Sequence, residues 1–250
     1  MTKLEIHNPF NAPVYHEETV TSTMDVSREL AASGEPHGTV IAADFQEKGR
    51  GRIRDRKWEM ERGNLPFTIL LHYPRIEEIP QALTLRAGLA AALAIEDFCP
   101  SLKNTVMIKW PNDLFIGSKK TAGILCEADG GNVHIGIGIN FAQKLFPDHL
   151  REKATSIALA AGRDFSPCDR LRLLERVLVR LHAELETAGW RERLQQRLYK
   201  NGEQVVFVEG AAGSKNSITG CLAGIGEGGE LLIVPDGERE ERCFITGELL

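Results

Sequence analysis

The stretch at residues 80–98, PQALTLRAGLAAALAIEDF, most constrains the fold: it is so rich in alanine and leucine that it reads as a buried helix, with Pro80 at its start and Pro100 just past its end. Strand-like apolar runs flank it. Residues 39–45 (TVIAADF) and 67–72 (FTILLH) come before it; 105–109, 114–116, 121–127 and 132–141 follow, with Gly130-Gly131 as a tight hairpin turn. Residues 169–185 repeat leucine and valine at helical spacing, which predicts an amphipathic helix lying on the sheet.

The texture changes after Asn201-Gly202. Short runs at 204–208, 217–223, 230–234 and 242–245, rich in glycine and without helical period, predict a small β-barrel of about fifty residues. The reading is an α+β protein of two unequal domains: residues 1–200, a mixed β-sheet packed against helices, and residues 201–250.

Composition removes several function classes. With 42% hydrophobic and 26% charged residues the chain is an ordinary globular protein. Its net charge of -5 argues against a general nucleic-acid binder, so no DNA partner is expected. No apolar run approaches a membrane span and no signal-peptide pattern opens the chain, which predicts a cytoplasmic protein with no membrane partner. The five cysteines form no CxxC pair and read as reduced thiols mostly in or near the core; the seven histidines show no metal-ligand spacing.

Four segments carry chemistry. In QEKGRGRIRDRKW, residues 46–58, six basic residues crowd around Gly49 and Gly51. Glycines let the backbone approach a ligand, and arginine forks pair with phosphate or carboxylate. A solvated loop is the plainer alternative. In KWPND, residues 109–113, Pro111 turns the chain at a strand end and presents Asn112 and Asp113; an Asx turn would also explain it. In GIGIN, residues 136–140, alternate glycines strip one sheet face, so a helix, a strand or a ligand can lie close. Thr21-Ser22-Thr23-Met24 precedes a helical stretch and reads as an N-cap.

Taken in order, TSTMD, ADFQEKGRGR, KWPND, KKTAGILCE, HIGIGINF and the C-terminal GELLIV and TGELL resemble the biotin protein ligases, in the form without an N-terminal DNA-binding domain. The resemblance runs through nearly the whole chain. It implies a ligase-like catalytic domain with a small SH3-like barrel at the C-terminus. It also implies ATP-dependent formation of biotinyl-5'-AMP from biotin, magnesium accompanying ATP, and transfer of biotin to a lysine of a biotin carboxyl carrier protein domain. A homodimer is compatible with it.

By the same resemblance Ser22, Thr23 and Gln46 would meet the biotin head, Gly49, Arg50, Gly51 and Arg52 would form the loop that orders over the ligand, and Gly123 would let the backbone pack on biotin. Lys120 would meet the carboxylate and then the acyl phosphate. Asn140, Asn112 and Trp58 would serve the nucleotide, Asn140 at its phosphates and Trp58 also pinning the loop's end. Lys120, Asp113 and Arg52 are the expected catalytic residues, with Asp113 taking the acceptor's proton and Lys109 supporting that corner.

Two departures from the family pattern stand out. The arginine loop is one residue longer than usual and lacks a third glycine, and Met24 stands where asparagine is common. Two rivals remain open: a lipoate or octanoate ligase or transferase, for which Cys126 would be the nucleophile, and a non-catalytic biotin-binding module. The literal GxGxxG at 224–229 lacks a following helix and reads as turn glycines.

Overall fold

The computed structural model describes residues 1–52, 58, 61–210 and 216–250. Its elements run β1 (Thr2–Lys3), β2 (Val14–Val20), α1 (Thr23–Ala32), β3 (Val40–Gln46), β4 (Leu65–His72), α2 (Leu83–Phe98), β5 (Val106–Lys109), β6 (Asp113–Ile116), β7 (Lys119–Asp129) and β8 (Asn132–Ile139). There follow α3 (Ile157–Ala161), α4 (Pro167–Glu186), α5 (Trp190–Gln195), β9 (Gln204–Glu209), β10 (Ser217–Ile225), β11 (Leu231–Pro235), β12 (Arg242–Phe244) and β13 (Gly247–Leu249).

The first eight strands form one sheet in the order β1-β2-β3-β4-β8-β7-β6-β5. Only β2 and β3 pair in parallel, which makes the sheet mixed. Because successive side chains alternate between faces, β8 divides its residues cleanly: Ile135, Ile137 and Ile139 join the hydrophobic core with α2, while His134, Gly136 and Gly138 face the other way. There Met24 of α1 lies over Gly136. The sheet is thus covered by α2 on one face and by α1 on part of the other, and the uncovered remainder becomes the cavity floor.

Helix α2 is apolar throughout its middle, so α4 can only reach the sheet across it; α4 packs on α2 through Leu173, Leu174, Val177, Leu178 and Leu181. The sequence expectation that this helix lies on the sheet is therefore corrected: it forms a second layer. One charge enters the α2 interior. Glu96 is buried, accepts from Val106 N at 3.2 Å and pairs with Arg197 Nη1 at 2.7 Å, tying α2 to the segment after α5.

Boundaries differ from the sequence reading in instructive ways. Helix α2 begins at Leu83 rather than at Pro80, behind Ala82 in a left-handed conformation. Strand β2 went unread because Glu17 and Glu18 interrupt its apolar pattern near the sheet edge. Cys99 is buried, but Cys168 and Cys243 are exposed, against the expectation of largely interior thiols.

Strands β9 to β13 form an antiparallel five-stranded sheet in the order β12-β11-β10-β9-β13, with a bulge in β10 at Leu222/Gly224. Its core is continuous with that of the larger sheet, for the Trp110 and Phe207 rings lie 6.0 Å apart and Trp110 Nε1 donates to Gly229 O at 2.9 Å. Gly229, last of the GxGxxG glycines, has φ of +94°, and a Cβ there would stand 2.7 Å from that of Ala82. Gly226 and Gly229 belong to the turn after β10, as expected, whereas Gly224 lies within β10 at its bulge. Among the described residues no helix is long and apolar enough to cross a membrane.

Candidate functional site

One cavity of about 310 Å³ opens on the bare face of the large sheet, within the size range of small-molecule sites. Of the residues expected from sequence, Ser22, Thr23, Gln46, Arg50, Gly51, Arg52, Trp58, Asn112, Asp113, Lys120, Gly123 and Asn140 all line it. Gly49 does not; it is buried at the base of the arginine loop, where its carbonyl accepts from Trp58 N at 3.1 Å. Arg54, Arg56 and Lys57 of that loop lie outside the described residues.

The head of the cavity is built where α1 begins. Ser22 caps the helix, its hydroxyl accepting from Met24 N at 3.3 Å. Gln46, at the end of β3, accepts through Oε1 from both Thr23 N at 2.7 Å and Thr23 Oγ1 at 2.9 Å. The floor is the glycine face of β8. A Cβ on Gly138 would come within 2.9 Å of the Trp58 indole, so only glycine lets that ring lie against the strand. The alternate glycines therefore admit two side chains, Met24 and Trp58.

The cationic wall depends on a bulge. Asp113 pairs with Gly123 and Leu114 with Ala122, but Phe115 pairs with Lys120, which leaves Thr121 extra in β7. That insertion turns Lys120 onto the same face as Asp113 and Gly123; in unbroken alternation it would point toward α2. Lys120 Nζ meets Asp113 Oδ1 at 2.6 Å. Lys109 is half-buried beside them: burial pushes its ammonium below the ordinary lysine value, while Asp113 and Glu248 pull in the opposite sense.

Several site groups are already engaged. Arg50 pairs with Asp25 of α1, and Arg52 Nη2 donates to Gly247 O of β13 at 2.8 Å. The Asn112 amide donates to Ile124 O at 3.0 Å and Asn140 Nδ2 to Thr155 O at 3.1 Å, whereas Asn140 Oδ1 is buried without a partner among the described residues.

Sequence reading passed over Lys153 and Glu248, which also line the cavity, and treated Lys109 only as a support. The first follows an irregular loop, and the second belongs to a strand in the C-terminal sheet, so neither carried a local signal. Cys126 shows the reverse. It is absent from the lining, and burial pushes its thiol up to about 11 against a weaker opposing hydrogen bond from Thr84.

Comparison with known proteins agrees with this geometry. The model of the biotin/lipoate A/B protein ligase family matches residues 17–141, half of the chain. The biotin–[acetyl-CoA-carboxylase] ligase of Paracoccus denitrificans is 32% identical over 212 residues, covering 77% of this chain and 82% of the relative. The bifunctional ligase/repressor BirA of Bacillus subtilis (strain 168) is 39% identical over 175 residues, 66% of this chain. This match spans only 51% of that relative's length. Among solved structures, the biotin protein ligase of Aquifex aeolicus in complex with biotin and ATP superposes with a TM-score of 0.79 at 28% identity, covering 95% of this chain and 97% of that one. The chain belongs to the biotin/lipoate A/B protein ligase family.

Proposed function

We propose that this protein is a biotin protein ligase, which joins biotin to AMP at the expense of ATP and then passes the biotin to a lysine of a biotin carboxyl carrier protein domain. The observation that carries this reading is convergence: Arg50, Arg52, Lys109, Lys120 and Lys153, from four separate segments of an acidic chain, line one cavity whose far end is polar and uncharged.

In the first step a biotin carboxylate oxygen attacks the α-phosphorus; the new O–P bond forms as the bond to pyrophosphate breaks. Both partners are anionic, so cations must offset their repulsion before they can meet. Lys120, released from Asp113, and the two loop arginines are the groups within the cavity suited to that. Magnesium is read as arriving on ATP. An ion arriving in that way would be held chiefly by phosphate oxygens. The unpartnered Asn140 Oδ1 is an acceptor, so it suits an N–H of the adenine base better than a phosphate oxygen.

In the second step the acceptor lysine must shed a proton, since at pH 7 only on the order of one in a few thousand is neutral. Asp113 can accept it. The amine then attacks the acyl carbon and AMP departs with the electron pair of the broken C–O bond. Arg52, bonded to β13, and Trp58, lying on Gly138, would hold the loop closed over the mixed anhydride and keep water from it. We read residues 1–200 as the catalytic domain and residues 201–250 as an SH3-like barrel that supplies one wall.

Incubation with radiolabelled biotin, MgATP and a purified carrier domain tests the reading directly. Label on the carrier lysine, dependent on ATP, is the expected result; label from lipoate or octanoate and none from biotin would overturn it.

A further inference from the structure

We infer that Lys109 is a positioning residue for the transfer step: it stands behind Asp113 as a second counter-ion and keeps that carboxylate charged, and so able to take the acceptor's proton, once the adenylate has drawn Lys120 away. The inference rests on the biotin reading and extends it to the interval between the two half-reactions.

The placement comes from strand register. Lys109, Asp113, Gly123 and Gly138 are direct cross-strand partners in β5, β6, β7 and β8, so they form one row across the open face of the sheet. Val106 and Ile108 alternate with Lys109 and enter the core, which fixes Lys109 on that face. The two glycines carry no side chain, and the Trp58 ring lies against Gly138. The row is therefore a trough that begins under Trp58 and ends on the Asp113 carboxylate, with Lys109 on the far side.

Lys109 is held there by more than charge. Its Nζ lies 5.1 Å from the centre of the Phe115 ring, which is two positions along β6 from Asp113 on the same face, and Phe115 packs on Tyr199 with ring centres 5.0 Å apart. The end of Lys120, by contrast, crosses the bare backbone of Gly123.

Electrostatics gives the two lysines different tasks. Burial, and after it Lys200 and Lys120, pushes the Lys109 ammonium below the ordinary lysine value, while Asp113 and Glu248 oppose the shift. When Lys120 moves to the acyl phosphate, its repulsion of Lys109 falls, and Lys109 is left as the cation next to Asp113 in the row. The phosphate meanwhile brings a negative charge toward Asp113, which favours protonation of the carboxylate from water and would remove its capacity as a base. Lys109 offsets that charge. The remaining charged groups about the row are Lys200 after α5, Glu248 of β13, Lys153 and the two loop arginines. Among the described residues no histidine lines the cavity, so a loss of transfer on mild acidification belongs to a carboxylate.

Transfer from preformed biotinyl-5'-AMP to a purified carrier domain, followed in single turnover from pH 5 to pH 9, tests the assignment. Lys109→Met keeps the side-chain length and removes the charge. The acidic limb of its profile should move up by about one pH unit, so that transfer below the limb falls about tenfold. Lys109→Arg retains the charge and should keep the limb near its original place, and Asp113→Asn should show no such limb. Should the methionine variant fail to fold, Lys109→Gln carries the same comparison.

A limb unmoved in Lys109→Met would overturn the assignment and mark a packing role, as would an arginine variant displaced as far as the methionine one. Pyrophosphate release that falls further than transfer would overturn it too, since that marks a cation for the phosphates, and so would a limb that survives Asp113→Asn. An unmodified protein that forms no biotinyl-5'-AMP would instead defeat the reading of function, and this assignment with it.

Discussion

Lys120 Nζ stands 2.6 Å from Asp113 Oδ1, and the two meet over the bare backbone of Gly123, where an added Cβ would lie 3.3 Å from the lysine Nζ and 3.5 Å from the carboxylate. The pair joins the group suited to the first chemical step with the group suited to the second. While they hold each other, the lysine charge is offset and the carboxylate is occupied; an incoming anion that draws Lys120 away leaves Asp113 free for an ammonium. On the proposed reading, the order of the two half-reactions would be coupled to this one ion pair.

Opposite losses should follow from breaking that pair at either end. Lys120→Ala should lower adenylate formation by roughly 10²- to 10³-fold, read as pyrophosphate release. Asp113→Asn should leave adenylate formation comparatively intact and slow transfer from preformed biotinyl-5'-AMP by roughly 10²- to 10⁴-fold. Equal losses in both assays for both variants would mean that the pair is structural.

Gly123→Ala tests the space itself. At 3.3 Å the new methyl is tighter than an ordinary contact with a lysine end, so the end of Lys120 must give way by a few tenths of an ångström. Adenylate formation should fall by about tenfold, because loss of one well-placed charge-assisted contact is worth ~1.4 kcal/mol or more. A variant with unaltered pyrophosphate release would show that Lys120 acts from elsewhere.

Arg52 reaches from the glycine loop to Gly247 O, 195 positions further along the chain. Its replacement by alanine should weaken both the cationic wall and the loop's tie to β13. The expected sign is leakage: free biotinyl-5'-AMP appears in solution faster than with the unmodified protein, although less adenylate is made overall. Adenylate retained as before would place loop closure on Trp58 alone.

Much of this arrangement was legible in the sequence, and the reasons for the exceptions are physical. The glycines of GIGIN announced a bare face because strand alternation is a local rule, and Gly136 and Gly138 obey it. The aim of Lys120 was not legible. It depends on Thr121 being extra in β7, and a bulge leaves no mark in the order of residue types. Glu248 escaped for another reason: it reaches the cavity from the second sheet, and pairing between distant segments has no periodic signature. Cys126, the nucleophile that the rival transferase reading would require, was singled out by proximity in sequence to KKTAG, which is a weaker guide than the strand face it occupies.

Cys126 gives a clean discriminator against thiol chemistry. With a pKa pushed up to about 11 by burial, it holds almost no thiolate at neutral pH, and a nucleophilic cysteine needs the thiolate. Cys126→Ala should therefore leave adenylate formation and transfer near their original rates. Loss of activity without loss of fold, monitored by circular dichroism, would restore the transferase reading.

His134 offers a test through pH. It is fully buried behind the head subsite, with Nδ1 2.8 Å from Ser27 Oγ and Nε2 3.4 Å from Asp129 Oδ2. Burial lowers its pKa below the ordinary histidine value; Asp129 opposes that shift and Arg28 reinforces it. The unfolded chain therefore takes up a proton at higher pH than the folded one. Stability from this site is complete above the unfolded pKa of ~6.5 and declines as pH falls from there toward the folded value, by at most ~1.4 kcal/mol per pH unit. Urea unfolding from pH 8 to pH 5 should show the decline, and His134→Gln, less stable at pH 8, should lose less on acidification. The difference between the two curves isolates this residue, because the other titrating groups are common to both. Parallel curves would mean that His134 takes up its proton at the same pH folded and unfolded, and that α1 is held over β8 by packing rather than by a neutral imidazole.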